Sequence, residues 1–260
     1  MQAASLPATA GWQWARNGLE LFLRQPLAMF TWAMAISMTL MLASLTPPIG
    51  PLLFVTAMPV ITVMTLSACR HIEAGRVMLP SMWLQPVKKA GMAKRLFGLG
   101  AIYAGLSLLA GLVAFVPFMD ALADAFQQAG ADDLTPILLA LRMPLLIFGV
   151  LYVIVAALFW YAPALVAWHG TRWSQALFFS GVACWRNKWA FAMYGLVWAA
   201  VFLAIDFCSN MLVAAGLSPQ LVGVLQVPFN IAAGSILYCS FYPSYTSVFG
   251  TGAPALQFDH

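Results

Sequence analysis

The sequence predicts an all-α protein that crosses a membrane six times, and three observations carry the prediction. Hydrophobic residues make up 63% of the 260 positions, charged residues 8%, and the mean hydropathy is +0.88. A soluble domain has too little polar surface to cover such a chain. The apolar residues gather into runs of about 20, the number of helical residues that crosses ~30 Å of hydrocarbon. Of the 12 lysines and arginines, 11 fall in connections on one side of these runs and only Arg142 on the other. Short connections rich in such residues stay in the cytoplasm, so both termini are expected there. The whole chain, 1–260, reads as one integral membrane domain with no soluble domain left over.

An amphipathic helix is expected first, over residues 9–25. A polar stripe recurs at Gln13, Asn17, Glu20 and Arg24, with Trp12, Ala15, Leu19, Phe22 and Leu23 on another face. Such a helix prefers the membrane interface. Arg24 and Pro26 come late, and no small-residue cleavage site follows a short apolar core, so this stretch is not read as a signal peptide and is expected to be retained.

Span one covers 27–46 and is closed by Pro47 and Pro48; span two covers 50–69, so the turn between them is tight and water-facing. Span three, 96–119, carries small-xxx-small pairs at Ala101/Gly105 and Ser107/Gly111, with Gly98 nearby. Small residues let helices approach closely, which gives this span a central position. Span four, 137–168, is long enough to tilt, or to begin as an interfacial turn before Pro144. Spans five and six cover 189–209 and 222–248. Pro59, Pro163, Pro228 and Pro243 remove backbone hydrogen bonds within these segments and should kink or end helices.

Two stretches echo each other at an offset of 162 positions: Arg24 over Arg186, Gln25 over Asn187, Leu27 over Trp189, Ala28 over Ala190. Each follows a half-amphipathic lead-in and precedes a span. The second lead-in, residues 172–188, is more apolar all round and is expected to sit deeper or to pack against protein. The pattern suggests two related units, each an interfacial helix plus a helical hairpin, flanking the hairpin of spans three and four.

The stretches "GWQWARNGLELFLRQPLAMF", "GPLLFVTAMPVITVMTLSACRHIEAGR" and "APALVAWHGTRWSQALFFSGVACWRNKWAFAMYG" resemble an uncharacterised family of six-span bacterial inner-membrane proteins. More distantly they resemble the membrane domain fused to some bacterial glycerophosphodiester phosphodiesterases. The motifs are Pro163 with Ala164, a small-residue helix with Ala176 and Ser180, and the basic turn with Trp189. The resemblance implies a bacterial cytoplasmic membrane and a helical fold. It implies no reaction, and the chain carries no phosphodiesterase domain.

Motifs of catalysis are missing: there is no HExxH, GxSxG, P-loop or strand-flanked GxGxxG. His71, His169 and His260 fall in connections or the tail, so no histidine pair inside the bilayer is expected to ligate haem; His71 and His169 read as interface residues. Cys69, Cys184, Cys208 and Cys239 are far apart, without metal-knuckle spacing, and read as buried thiols. Asp120, Asp124, Asp132 and Asp133 lie in the one sizeable outer loop, where like charges keep a loop soluble rather than hold a cation. No enzyme, metal or cofactor is expected.

Polar groups within the spans say more, because a charge at the centre of a bilayer helix costs about 2.5–3.5 kcal/mol. Arg142, Asp206, Gln226 and Asn230 all fall near the outer ends of their spans. Arg142 is expected to pair with Asp206, and the amides to extend a polar cluster open to the outside. The alternatives are interhelical glue or a substrate or headgroup site. On the inner side, Lys88, Lys89, Lys94 and Arg95 in "VKKAGMAKR", with Arg186 and Lys188, set topology and attract anionic headgroups, or form a docking patch for lipid phosphates or an acidic partner. Nucleic acid is not an expected partner.

Two functional classes follow. One is a non-enzymatic inner-membrane accessory or assembly protein acting through lateral helix and lipid contacts, possibilities that include a second membrane protein as partner. The other is a small permease or lipid-handling protein, which requires a polar site or path.

Overall fold

The computed structural model describes residues 3–129 and 133–250, and among these the secondary structure is helical throughout. Asp132, His260 and the C-terminal end, on which expectations were placed, lie outside the described residues. The helices are α1 (Ala10–Arg24), α2 (Pro26–Ser44), α3 (Ile49–Glu73), α4 (Gln85–Lys88), α5 (Met92–Phe115), α6 (Met119–Gln128), α7 (Thr135–Phe159), α8 (Ala162–His169), α9 (Trp173–Arg186), α10 (Lys188–Ala214) and α11 (Pro219–Phe249). Six stretches are long and apolar enough to cross a bilayer: α2, α3, α5 through α6, α7 through α8, α10 and α11. The protein is an all-α polytopic bundle.

The long third and fourth stretches are segmented. A 3-10 turn, Val116–Phe118, separates α5 from α6, whose acidic residues Asp120 and Asp124 are exposed. The fourth breaks between α7 and α8 instead of running on as one tilted helix. Pro163 has no N–H to give to the preceding turn, and the hydroxyl of Ser180 on α9 enters the gap. It accepts from the Tyr161 N–H at 3.0 Å and donates to the Ala157 carbonyl at 2.8 Å. Those are the two groups that an unbroken helix would join to each other.

Packing centres on α3. Half of its apolar window is buried, against 28% for α5 with α6. Span three is the next most buried, but the expectation that Gly105 and Gly111 bring it against its neighbours is corrected. A Cβ on either glycine would meet nothing within 4 Å. The close approach comes one turn earlier, where a Cβ on Gly100 would lie 1.8 Å from the Thr56 carbonyl of α3 and one on Gly98 2.5 Å from the Trp173 ring. Small residues permit contact only on the face that meets a neighbour, and a spacing motif does not say which face that is.

Helix α1 does not simply float in the interface. Gly11, Trp14, Ala15, Gly18 and Leu21 form a stripe buried against α10 and α11. A Cβ on Gly11 would lie 2.1 Å from the Ala190 carbonyl, and one on Gly18 2.5 Å from Ser240. Trp14 packs edge-on to Phe191 and Tyr194 and donates its indole N–H to Ser247 at 2.8 Å. Ala15, grouped in the sequence with Trp12, Leu19, Phe22 and Leu23, belongs to this buried stripe. Trp12, Leu19 and Leu23 remain exposed.

Most of the buried residues lie at the end of the bundle where the basic connections gather, here called the basic end. Trp14, Tyr161, Leu165, Val166, Tyr194, Tyr242 and Tyr245 form a continuous core there with the last turns of α3. Beyond it the spans expose apolar side chains, and only 6% of the α10 window is buried.

Candidate functional site

Two joints at the basic end are built alike. Helix α1 ends at Arg24, Gln25 breaks the helix, and α2 starts at Pro26; α9 ends at Arg186, Asn187 breaks the helix, and α10 starts at Lys188. Each amide then clasps a neighbouring backbone by its carbonyl and, two residues on, its N–H. Gln25 donates to the Arg76 carbonyl at 2.7 Å and accepts from the Met78 N–H at 2.8 Å. Asn187 donates to the Ala4 carbonyl at 2.9 Å and accepts from the Leu6 N–H at 2.8 Å. Helix ends near a bilayer leave backbone groups that must be satisfied within the protein, and an amide carries both a donor and an acceptor.

The clasped N-terminal segment, α1, the end of α3 and the end of α11 enclose a groove of about 380 Å³. The polar stripe of α1 (Gln13, Asn17, Glu20, Arg24) forms one wall, with Glu73 of α3 and Thr246 and Ser247 of α11 opposite. Leu6, Trp14 and Leu21 supply apolar surface. Tyr242 donates to Oε2 of Glu73 at 2.6 Å, and the Arg24 guanidinium reaches the Glu73 backbone carbonyl at 3.4 Å. Arg16 and Glu20 pair at 3.2 Å on the outer lip. The stripe on α1 was legible in sequence; Glu73, Thr246 and Ser247 were missed. Glu73 had a signal, since it and Glu20 are the only glutamates in the chain.

The outer cluster expected from sequence is not assembled as an ion pair. Among the described residues the one ion pair within 4.0 Å is Arg16 with Glu20, so Arg142 and Asp206 do not meet. The reason is topological: α7 packs on α5, α6 and α9, whereas α10 packs on α1 and α11. Arg142 is exposed on α7, and Asp206 accepts from Asn210 on its own helix at 3.4 Å. Gln226 is half-buried in a cleft of about 390 Å³ between α10 and α11 with Ile205, Ser209, Leu212 and Phe229, while Asn230 is exposed.

The inner basic residues divide by task. Arg95 is committed to structure, donating to the Gly170 and Thr171 carbonyls at 3.1 and 2.8 Å while its own carbonyl accepts from the Trp173 indole at 3.1 Å. Lys188 lies over the exposed rings of Trp185 and Trp189, 4.8 and 5.8 Å from their centroids. Lys88, Lys89, Lys94 and Arg186 are exposed. His71 and His169 bind locally, His71 Nδ1 to the Ser67 carbonyl at 2.9 Å and His169 Nε2 to the Tyr245 hydroxyl at 2.7 Å. Cys69, Cys184 and Cys239 are buried, but Cys208 is exposed on α10, contrary to the expectation of four buried thiols. Burial pushes the Cys184 thiol up to about 12, which makes it a poor nucleophile. Among the described residues no three His, Cys, Asp or Glu side chains come together to hold a metal ion.

Spans sized for hydrocarbon, a packed basic end and broad apolar flanks define a polytopic helical membrane protein. No family model matches the chain, and no solved structure matches it. It is similar to a probable inner membrane protein of Burkholderia thailandensis, 38% identical over 267 aligned positions that cover 98% of each chain. The chain belongs to the family of that protein. The more distant likeness to the diesterase membrane domain finds no support in these comparisons.

Proposed function

We propose that this is a non-enzymatic accessory or assembly protein of the bacterial inner membrane, acting through lateral helix and lipid contacts, with both termini in the cytoplasm. The observation that carries the reading is the uneven burial of the spans, with only 6% of the α10 window and 17% of the α2 and α11 windows buried. Helices with so much unpartnered apolar surface are completed by lipid tails or by other helices. Gentle solubilisation followed by mass spectrometry of co-purifying chains and lipids tests this. A stoichiometric membrane-protein partner is the expected result; a chain that purifies alone from native membranes at every detergent strength overturns it. Reporter fusions at each end check the orientation.

The alternative is a lipid-handling protein. It no longer draws on an outer polar cluster, because Arg142 and Asp206 are not paired. It draws instead on the groove at the basic end, where charged and amide side chains line a cavity at the ends of three spans or their lead-ins.

A further inference from the structure

Both glutamates of the chain border one groove, at the end of the molecule where 11 of its 12 cationic residues lie. The depth of that groove is fixed by where helices end. Glu73 is the last residue of α3, Arg24 stands two residues before α2 begins, and Ser247 lies in the last turn of α11. The ends of spans lie at the level of the lipid headgroups. The next face of α1 carries Trp12, Leu19 and Leu23, exposed by 58, 40 and 63% and apolar, so bilayer lipid borders the helix that forms the groove wall. Within the groove, carboxylates stand beside a guanidinium. Glu73 is held by Tyr242, Glu20 lines the same groove from α1, and Arg24 is one turn from Glu20.

That pattern accepts an ammonium and an anion side by side, with Gln13 and Asn17 as neutral hydrogen-bonding groups. We propose that the groove binds the headgroup of an ethanolamine phospholipid, its primary ammonium between Glu73 and Glu20 and its phosphate at Arg24. A glycerol headgroup brings no cation and would set its phosphate against two carboxylates. A choline headgroup has no N–H to donate to them. The inference rests on the lipid-contact part of the reading above and adds a specific lipid class and site to it.

The test uses the purified full chain in nanodiscs of equal phosphatidylethanolamine and phosphatidylglycerol, with the lipids retained on ejection read by native mass spectrometry. The native protein should retain phosphatidylethanolamine about fivefold over phosphatidylglycerol, as a few charge-assisted hydrogen bonds allow. Glu73→Gln should abolish the preference, while its amide oxygen still accepts from Tyr242 and keeps the fold, as checked by thermal unfolding in detergent. Glu20→Gln should reduce the preference about twofold, since the Glu20 carboxylate is already shared with Arg16. Gln226→Ala, in the other cleft, should leave it unchanged. Equal retention of the two lipids by the native protein, or an undiminished preference in Glu73→Gln, overturns the proposal. So does displacement of the lipid by millimolar free phosphoethanolamine, which would make the site one for a soluble amine. The measurement needs no protein partner, so its outcome is separate from the search for one.

Discussion

At the basic end, α1, α8 and α9 fill the spaces between the spans, and the side chains of Gln25, Ser180 and Asn187 bond backbone groups at the breaks there; toward the other end, α10 and α11 leave a cleft between them with Leu212, Leu225 and Phe229 along its walls. The same two helices thus belong to two different environments. The difference teaches where packing energy comes from in a bilayer. Apolar surface gains little by leaving lipid for protein, so nothing pulls the far half closed. A broken helix has backbone groups that lipid cannot satisfy, so partners converge where the chain breaks. The breaks at Gln25, Trp160–Tyr161 and Asn187 all lie at the basic end, and the core lies there too.

The sharpest way to test this contrast is to add one carbon atom to each half. Gly100→Ala should destabilise by about 3 kcal/mol, because α3 and α5 must separate to accept it, and overpacking of this kind costs up to about that much. Gly105→Ala, only five positions on but facing open space, should instead stabilise by about 0.5–1 kcal/mol through helix propensity. Unfolding in mixed micelles measures both, and equal effects would show that the two faces of α5 are packed alike.

The next largest effect should come from the joints. Asn187→Ala removes bonds to Leu6, Ala4 and Ala183 in a fully buried setting and should cost about 2–3 kcal/mol. Hydrogen exchange should show faster opening of residues 3–7. Gln25→Ala, at a half-exposed joint, should cost about 1 kcal/mol. Ser180→Ala should cost about 2 kcal/mol by orphaning the Tyr161 N–H and the Ala157 carbonyl. Its counterpart in the far half is Ser209→Ala, which loses only a bond to the preceding turn at Ile205 and should be nearly silent in the same assay.

Smaller still, Arg142→Gln and Asp206→Asn should each change stability by less than about 0.5 kcal/mol, and their effects should add, because the side chains share no contact. A double-mutant coupling above about 1 kcal/mol would restore the outer cluster. The least effect is expected at Asp133. Hydrogen bonding from Thr135, by side chain and then by backbone N–H, holds its exposed carboxyl below the usual carboxylate range. A lowered folded value stabilises above the ordinary carboxylate range and is lost as pH falls through the folded one. Melting curves of Asp133→Ala and the native protein should therefore differ slightly at pH 7 and converge as acid protonates the folded carboxyl.

Reading the sequence pointed to six helices of hydrocarbon length, the number the structure also has among its described residues, since apolar length is a local property that each segment states for itself. It also marked the polar stripe of α1 and the paired Arg-amide turns at 24/25 and 186/187. It did not reveal that α1 has three faces, because a helical wheel separates polar from apolar and cannot divide the apolar part between lipid and protein. Trp14 and Trp12 are equally apolar in the sequence, yet one is fully buried and the other exposed. Arg142 and Asp206 were matched by depth alone. Depth follows from position along a span, but adjacency depends on which span stands next to which.

What the chain determined by itself was its class: hydrocarbon-length helices, their number, and the gathering of cations on one side, all set by the cost of polar groups in lipid. The tertiary structure alone decided which helices touch, that Ser180 would enter the ladder of α7, and that the two glutamates, 53 positions apart, would border one groove. Contacts between helices in a bilayer are chosen by surface shape and by unsatisfied backbone groups, and neither is written in the hydropathy of a single segment.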